Sequence, residues 1–216
     1  MLRFTLFFYS GLAAAGCLLI ALRGGILGDS VFWLGTNPLR SIVLGGIVGL
    51  VAVVVSRAAM RVAEWACFVE HEIASLLGRL GTGGALALAL ASGAAEEVFF
   101  RGGLQAWIGW MASAILFGLL HTGPDARFLG WTAFAVVMGF ALGGLFLAGG
   151  GLLAPVTAHI LVNFANLRYL GRERSPGDAV FDPPCWGALV REWGMAPWEG
   201  VKDRLDGPRQ DRGTLF

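Results

Sequence analysis

Phe128–Gly150 reads FLGWTAFAVVMGFALGGLFLAGG, without one charged side chain. A helix rises about 1.5 Å per residue, so a run of this length outreaches the ~30 Å hydrocarbon core of a bilayer. The Gly149-Gly150-Gly151 triplet at its end is a natural turn. Beyond it Leu152–Leu170 is again apolar, interrupted only by His159 and Arg168. On the N-terminal side Met111–His121 ends in Thr122-Gly123-Pro124, and Thr82–Trp110 is broken only by Glu96, Glu97 and Arg101. Arg57–Arg79 is of another kind, with Arg57, Arg61, Glu64, Glu70, His71, Glu72 and Arg79 set among apolar residues. It reads as an amphipathic helix, interfacial or packed inside a bundle. Ser41–Ser56 is a short uncharged run closed by Arg57, preceded by a loop from Arg23 to Arg40 that holds Asn37-Pro38. Phe4–Leu22 is uncharged as well. The fold expected is all-α: a polytopic transmembrane helix bundle of about six spans, seven if the charged stretch crosses, with a polar C-terminal tail.

Composition agrees. Hydrophobic residues make up 56% of the 216, charged residues 14%, and mean hydropathy is +0.68. Globular chains carry about 25% charged residues, so a soluble enzyme, a disordered chain and a coiled coil are all disfavoured. The 33 glycines follow no collagen-like period and suit membrane helices, where small residues let backbones approach closely. A net charge of +1 gives no reason to invoke nucleic acid. Cys17, Cys67 and Cys185 are far apart and form no Cys-x-x-Cys metal site. Ala14-Ala15-Gly16-Cys17 looks like a lipoprotein signal, but the chain stays apolar through Leu22, so a retained first span is expected. Residues 171–216 hold seven Lys/Arg, eight Asp/Glu and five of the eight prolines. They read as a polar surface tail, with Trp186, Trp193 and Trp198 as interfacial anchors. Arg168, Arg172 and Arg174 hint at a cytoplasmic C-terminus.

An ionisable group near the bilayer centre costs about 2.5–3.5 kcal/mol or more, so the polar residues of the spans are functional candidates. They form three clusters: Glu96-Glu97-Val98-Phe99-Phe100-Arg101, Phe117-Gly118-Leu119-Leu120-His121, and His159-Ile160-Leu161-Val162-Asn163 with Asn166 beyond. Glu97 and Arg101 are one helical turn apart, with the acid N-terminal, which favours an ion pair. Glu96 is rotated ~100° from Glu97 and need not share that partner. His159, Asn163 and Asn166 share one helix face. A carboxylate in an apolar cavity can accept a proton near neutrality and, beside an imidazole, can deprotonate water. A second histidine and an amide donate hydrogen bonds suited to an oxyanion. That set describes acyl hydrolysis by activated water. Ser92, in Ala91-Ser92-Gly93-Ala94, lacks the setting of a nucleophile elbow.

Glu-Glu-x-x-x-Arg, Phe-x-x-x-His and His-x-x-x-Asn, in that order in consecutive apolar segments, resemble the CPBP family, the CAAX-protease and bacteriocin-processing (Abi) family of intramembrane glutamic endopeptidases. The resemblance covers roughly Leu80 to Leu170. It implies a CPBP-like catalytic bundle over 80–170, preceded by two spans and the charged segment over 1–79 and followed by the tail. It further implies Glu96 as general base, His121 orienting and activating the water, Glu97 and Arg101 supporting the site as a charge pair, and His159 and Asn163 stabilising the oxyanion. Family members remove the last three residues of prenylated CAAX proteins, process or resist bacteriocins, or cleave C-terminal sorting segments. The expected partners are a protein or peptide substrate in the membrane and the lipid bilayer, without nucleic acid. The compact size looks prokaryotic, hence a cytoplasmic (inner) membrane. No cofactor is expected; zinc at the Glu/His site is the rival, since two histidines and a glutamate can also bind it, while the tempting string His71-Glu72-Ile73-Ala74-Ser75 places serine where a zincin helix needs its second histidine. A transporter using the same polar cluster, or a non-catalytic immunity or scaffold protein, are the alternatives from other classes.

Overall fold

The computed structural model describes residues 2–25, 28–77 and 80–171; the expected tail, with its three tryptophans, lies outside the described residues. Within them the chain is all-helical: α1 (Leu2–Leu22), α2 (Ser30–Leu34), α3 (Pro38–Val62), α4 (Glu64–Leu77), α5 (Thr82–Glu97), a π-helical turn pair (Val98–Leu104), α6 (Gln105–Ile108), α7 (Trp110–Leu119), α8 (Leu129–Gly149) and α9 (Leu153–Leu170).

Contacts set the directions. Asn163 and His159 of α9 meet Ser92 and Glu97 of α5, while Leu80 meets Gly171, so α5 and α9 are antiparallel. On α3, Gly45 packs on Ala154 and Ser56 bonds Asn166, which makes α3 parallel to α9. Gly16 of α1 lies on Phe99, and Leu19 accepts from Trp107, so α1 follows α5. Arg101 and Gln105 reach Gly139 and Gly143, aligning α8 with the π segment and α6. Trp110 bonds Phe140 while Gly118 packs on Val136, so α7 opposes α8. Thus α1, α5–α6 and α8 run one way, and α3, α7 and α9 the other.

This alternation leaves no crossing for α4, which joins the end of α3 to the start of α5 on one side. Its 14 residues reach only ~21 Å. The seven-span alternative is therefore set aside. Four stretches are long and apolar enough to cross a membrane: Phe4–Leu22, Ser30–Val62, Thr82–Ile108 and Ala126–Gly149. The other two expected spans fall short of that measure. At ten residues α7 covers about half the core, and α9 has 18 residues that include His159 and Arg168.

Local chemistry explains the boundaries. Asn37 caps α3 by accepting from Arg40 N, and Pro38 occupies the first turn, where its missing N–H costs nothing. The second span accordingly starts before Ser41 and runs past Arg57, because the guanidinium is satisfied where it stands. Arg57 donates to Ala165 O at 2.8 Å and lies 3.9 Å over the Tyr169 ring. A Cβ at Gly45 would stand 2.3 Å from Ala154 O, so only glycine permits the α3–α9 contact. Gly109, at φ 83°, ends α6 and reverses the chain into α7. In the loop before α8, Asp125 accepts from Arg127 at 2.7 and 2.8 Å, and this holds its carboxyl down at about 2. The Arg127 guanidinium lies 3.8 Å over Phe68 and fastens α4 to that loop.

Candidate active site

Glu97 is fully buried, and its Oε1 accepts two charge-assisted bonds, from Arg101 at 2.8 Å and from His159 Nδ1 at 2.6 Å. Arg101 is 1% exposed; it also donates to Gly139 O at 3.3 Å and stacks 4.4 Å over the Phe117 ring. The π-helical geometry begins one residue after Glu97. Arg101 lies within this segment, one turn beyond Glu97, so the two side chains are neighbours on one face.

Glu96, one residue earlier, turns to a different group of partners. Its Oε2 stands 3.7 Å from His121 Nε2 and 3.8 Å from His159 Nε2, too far for direct hydrogen bonds. Both imidazoles are held through their other nitrogen. Nδ1 of His159 is on Glu97, and Nδ1 of His121 lies 2.7 Å from Phe117 O. Each ring thus presents Nε2 to Glu96. The early end of α7 makes this possible by placing His121 just past the helix, where it stacks on Phe117 at 4.4 Å and meets Trp131 edge-on.

Asn163 donates to Ser92 Oγ at 2.8 Å, and Ser92 in turn donates to Leu88 O. Ser92 is therefore an orienting group for the asparagine. The six residues singled out from the sequence, Glu96, Glu97, Arg101, His121, His159 and Asn163, come together in one cluster, the first three and His159 buried, His121 and Asn163 half-buried. Glu96, His121, His159 and Asn163 line a cavity of about 610 Å³. Apolar side chains form most of its wall, among them Trp65, Val69 and Ile73 of α4, Met60 of α3 and Leu142 of α8. His71 and Glu72, which begin the zincin-like string, are not on that wall; Glu70 is. Among the described residues no group of three or more His, Cys, Asp or Glu is placed to hold a metal ion.

Two neighbours were not singled out. Tyr9 of α1 lines the cavity and faces both Glu96 and Ser92. A hydroxyl in an otherwise apolar span was its only signal, and Ser10 beside it carries the same signal while bonding merely to Leu6 O. The π segment left no compositional trace, since Val98–Leu104 uses residue types common in α-helices.

With the geometry in place, the comparison with known proteins is specific. Residues 79–165 match the family model Rce1-like, type II CAAX prenyl endopeptidase Rce1-like. This segment belongs to the CAAX-protease family. Neither a curated protein nor a solved structure matches the chain. The apolar helices and the matched segment together support an integral membrane protein, similar over residues 79–165 to CAAX prenyl endopeptidases. The CAAX-protease segment contains all six clustered residues but not the whole cavity. Tyr9, Ser56, Met60 and α4 precede it, and Asn166 lies one residue past its end.

Proposed function

We propose that this protein hydrolyses a peptide bond near the membrane-embedded, C-terminal or lipidated end of a protein substrate, using a water activated by Glu96. One observation carries the reading: Glu96 Oε2 stands between two imidazole Nε2 atoms, 3.7 and 3.8 Å away, on the wall of an apolar cavity. That oxygen is buried without a hydrogen-bond partner among the described residues, so it keeps an acceptor for the proton of a water.

In the proposed reaction Glu96 takes a proton from the water while His121 Nε2 orients it. The resulting hydroxide adds to the scissile carbonyl carbon, and the C=O π electrons move to oxygen. His159 Nε2–H and the Asn163 amide donate to that oxyanion. The charges favour His159 as a donor. With Glu96 and Glu97 ionised, Arg101 and a His159 imidazolium bring the buried cluster to neutrality, Nδ1–H serving Glu97 and Nε2–H remaining for the oxyanion. Collapse breaks the C–N bond, its electrons pass to nitrogen, and Glu96 returns the proton to the departing amine. Glutamate and imidazole supply this chemistry without a cofactor. The setting proposed is a prokaryotic cytoplasmic membrane, with CAAX-type, sorting or bacteriocin-related substrates.

The test compares C-terminal peptides of membrane and secreted proteins in cells carrying wild type or Glu96→Gln. Uncleaved C-termini should accumulate in the variant, His121→Ala should reproduce them, and a zinc chelator should leave purified wild type active. Normal processing by Glu96→Gln at normal abundance overturns the mechanism and turns attention to a flux or scaffold role.

A further inference from the structure

Past Asn163 the cavity continues along α9, where one polar side chain is fastened in a way the reaction above does not use. Asn166 lies seven residues after His159 and three after Asn163, on the same face, and lines the cavity. Ser56 of α3 holds one half of its amide at 3.3 Å. That hydroxyl has a single proton, which it also directs at Val53 O at 2.9 Å. Whichever half of the amide Ser56 holds, the other half has no partner among the described residues and is not among the buried atoms that lack one. The two asparagines thus share a plan: each is braced by a serine from a different helix, Asn163 by Ser92 and Asn166 by Ser56.

We propose that Asn166 binds the substrate's main chain, gripping a peptide group about two residues from the scissile bond. This rests on the endopeptidase reading above. Residues three apart on a helix face are about 5–6 Å apart. In an extended peptide, main-chain groups on one edge recur every second residue, about 6.8 Å at ~3.4 Å per residue. Two amides on α9 therefore match the repeat of an extended strand, Asn163 at the scissile carbonyl and Asn166 at the next group on that edge. A main chain offers both N–H and C=O, so it satisfies either orientation of the Asn166 amide. The contact reads backbone, not side chain. It would register the strand without choosing its sequence.

The probe is a fluorogenic farnesylated CAAX peptide, together with a series in which each peptide bond flanking the cleaved one is replaced in turn by an ester. Asn166→Ala should raise KM about tenfold, the equivalent of one hydrogen bond, while kcat stays within about twofold. One ester in the series should weaken wild type and cost Asn166→Ala nothing further. A uniform loss across the series, or a fall in kcat at constant KM, means that Asn166 only ties α9 to α3 and overturns the proposal. Ser56→Ala leaves Asn166 in place but unbraced, and should show the same pattern at smaller size; it carries the test if Asn166→Ala does not fold. Wild type that cleaves no peptide and leaves no processed C-termini in cells overturns the endopeptidase reading, and this inference with it.

Discussion

Arg101→Ala would strip the fully buried Glu97 carboxylate of one of its two partners. Three losses follow from the geometry. Breaking a buried ion pair from one side costs about 3–5 kcal/mol, because the remaining charge keeps its desolvation penalty. Gly139 O loses its donor, and Phe117 loses the guanidinium over its ring, but these belong to the same deletion and do not add in full. His159 still holds Glu97, which keeps the total from growing beyond that range. Against a typical stability of about 5–15 kcal/mol, the variant should lose a large share of its folded margin. Thermal unfolding in detergent, followed by tryptophan fluorescence, should show a midpoint lowered by on the order of 10 °C. The double variant Glu97→Gln/Arg101→Met supplies the control. It removes both charges and keeps most of the volume, so it should recover much of the lost stability while remaining poor in turnover, since His159 loses its anionic partner. Arg101→Ala melting with wild type, or a double variant no better than the single one, would refute the ion-pair reasoning.

His159→Ala and Asn163→Ala should each lower kcat by about 10²–10³, the usual cost of one transition-state donor, with little change in KM; steady-state kinetics on the purified enzyme checks this. Asp125→Asn should destabilise the loop before α8 in a pH-dependent way. The Asp125 carboxyl is held at about 2 against an ordinary 3.8, so its stabilisation is present above 3.8 and disappears as pH falls through about 2. Unfolding midpoints of wild type and variant should differ at pH 6 and converge near pH 2; a gap that survives at pH 2 removes the pair as its cause.

The helices could be read from the sequence because charge is so sparse that each ionisable residue marks a boundary or a site. The same rule misled at Arg57, which ended the second span on paper. In the folded chain its guanidinium reaches Ala165 O and the Tyr169 ring, so the helix runs on to Val62. The early end of α7 had a visible cause in Thr122-Gly123-Pro124, yet its consequence, a histidine brought beside Glu96, depends on how α7 sits against α8. The Glu97–Arg101 spacing could be read directly, being a local relation on one helix. That His159 bridges Glu97 and Glu96 could not, because 62 residues separate the partners and only the antiparallel pairing of α5 and α9 brings them together. The π segment and Tyr9 were invisible for another reason: neither departs from the composition of an ordinary membrane helix.

The parallel course of α1 and α5 has a consequence for how such a protein diversifies. A Cβ at Gly16 would stand 2.8 Å from the backbone of Phe99, so the first helix is wedged against the strand of chain that bears the reacting groups. Together with α3 and α4 it walls the chamber from outside the CAAX-protease segment. Under the proposed reaction the hydrolytic groups all lie in the family segment, while part of the cavity wall is supplied by the stretch before it. Substitutions in the earlier stretch can reshape what is admitted while those groups stay untouched, and a fragment cut to the family segment alone would deprive Glu96 of the Tyr9 side of its chamber.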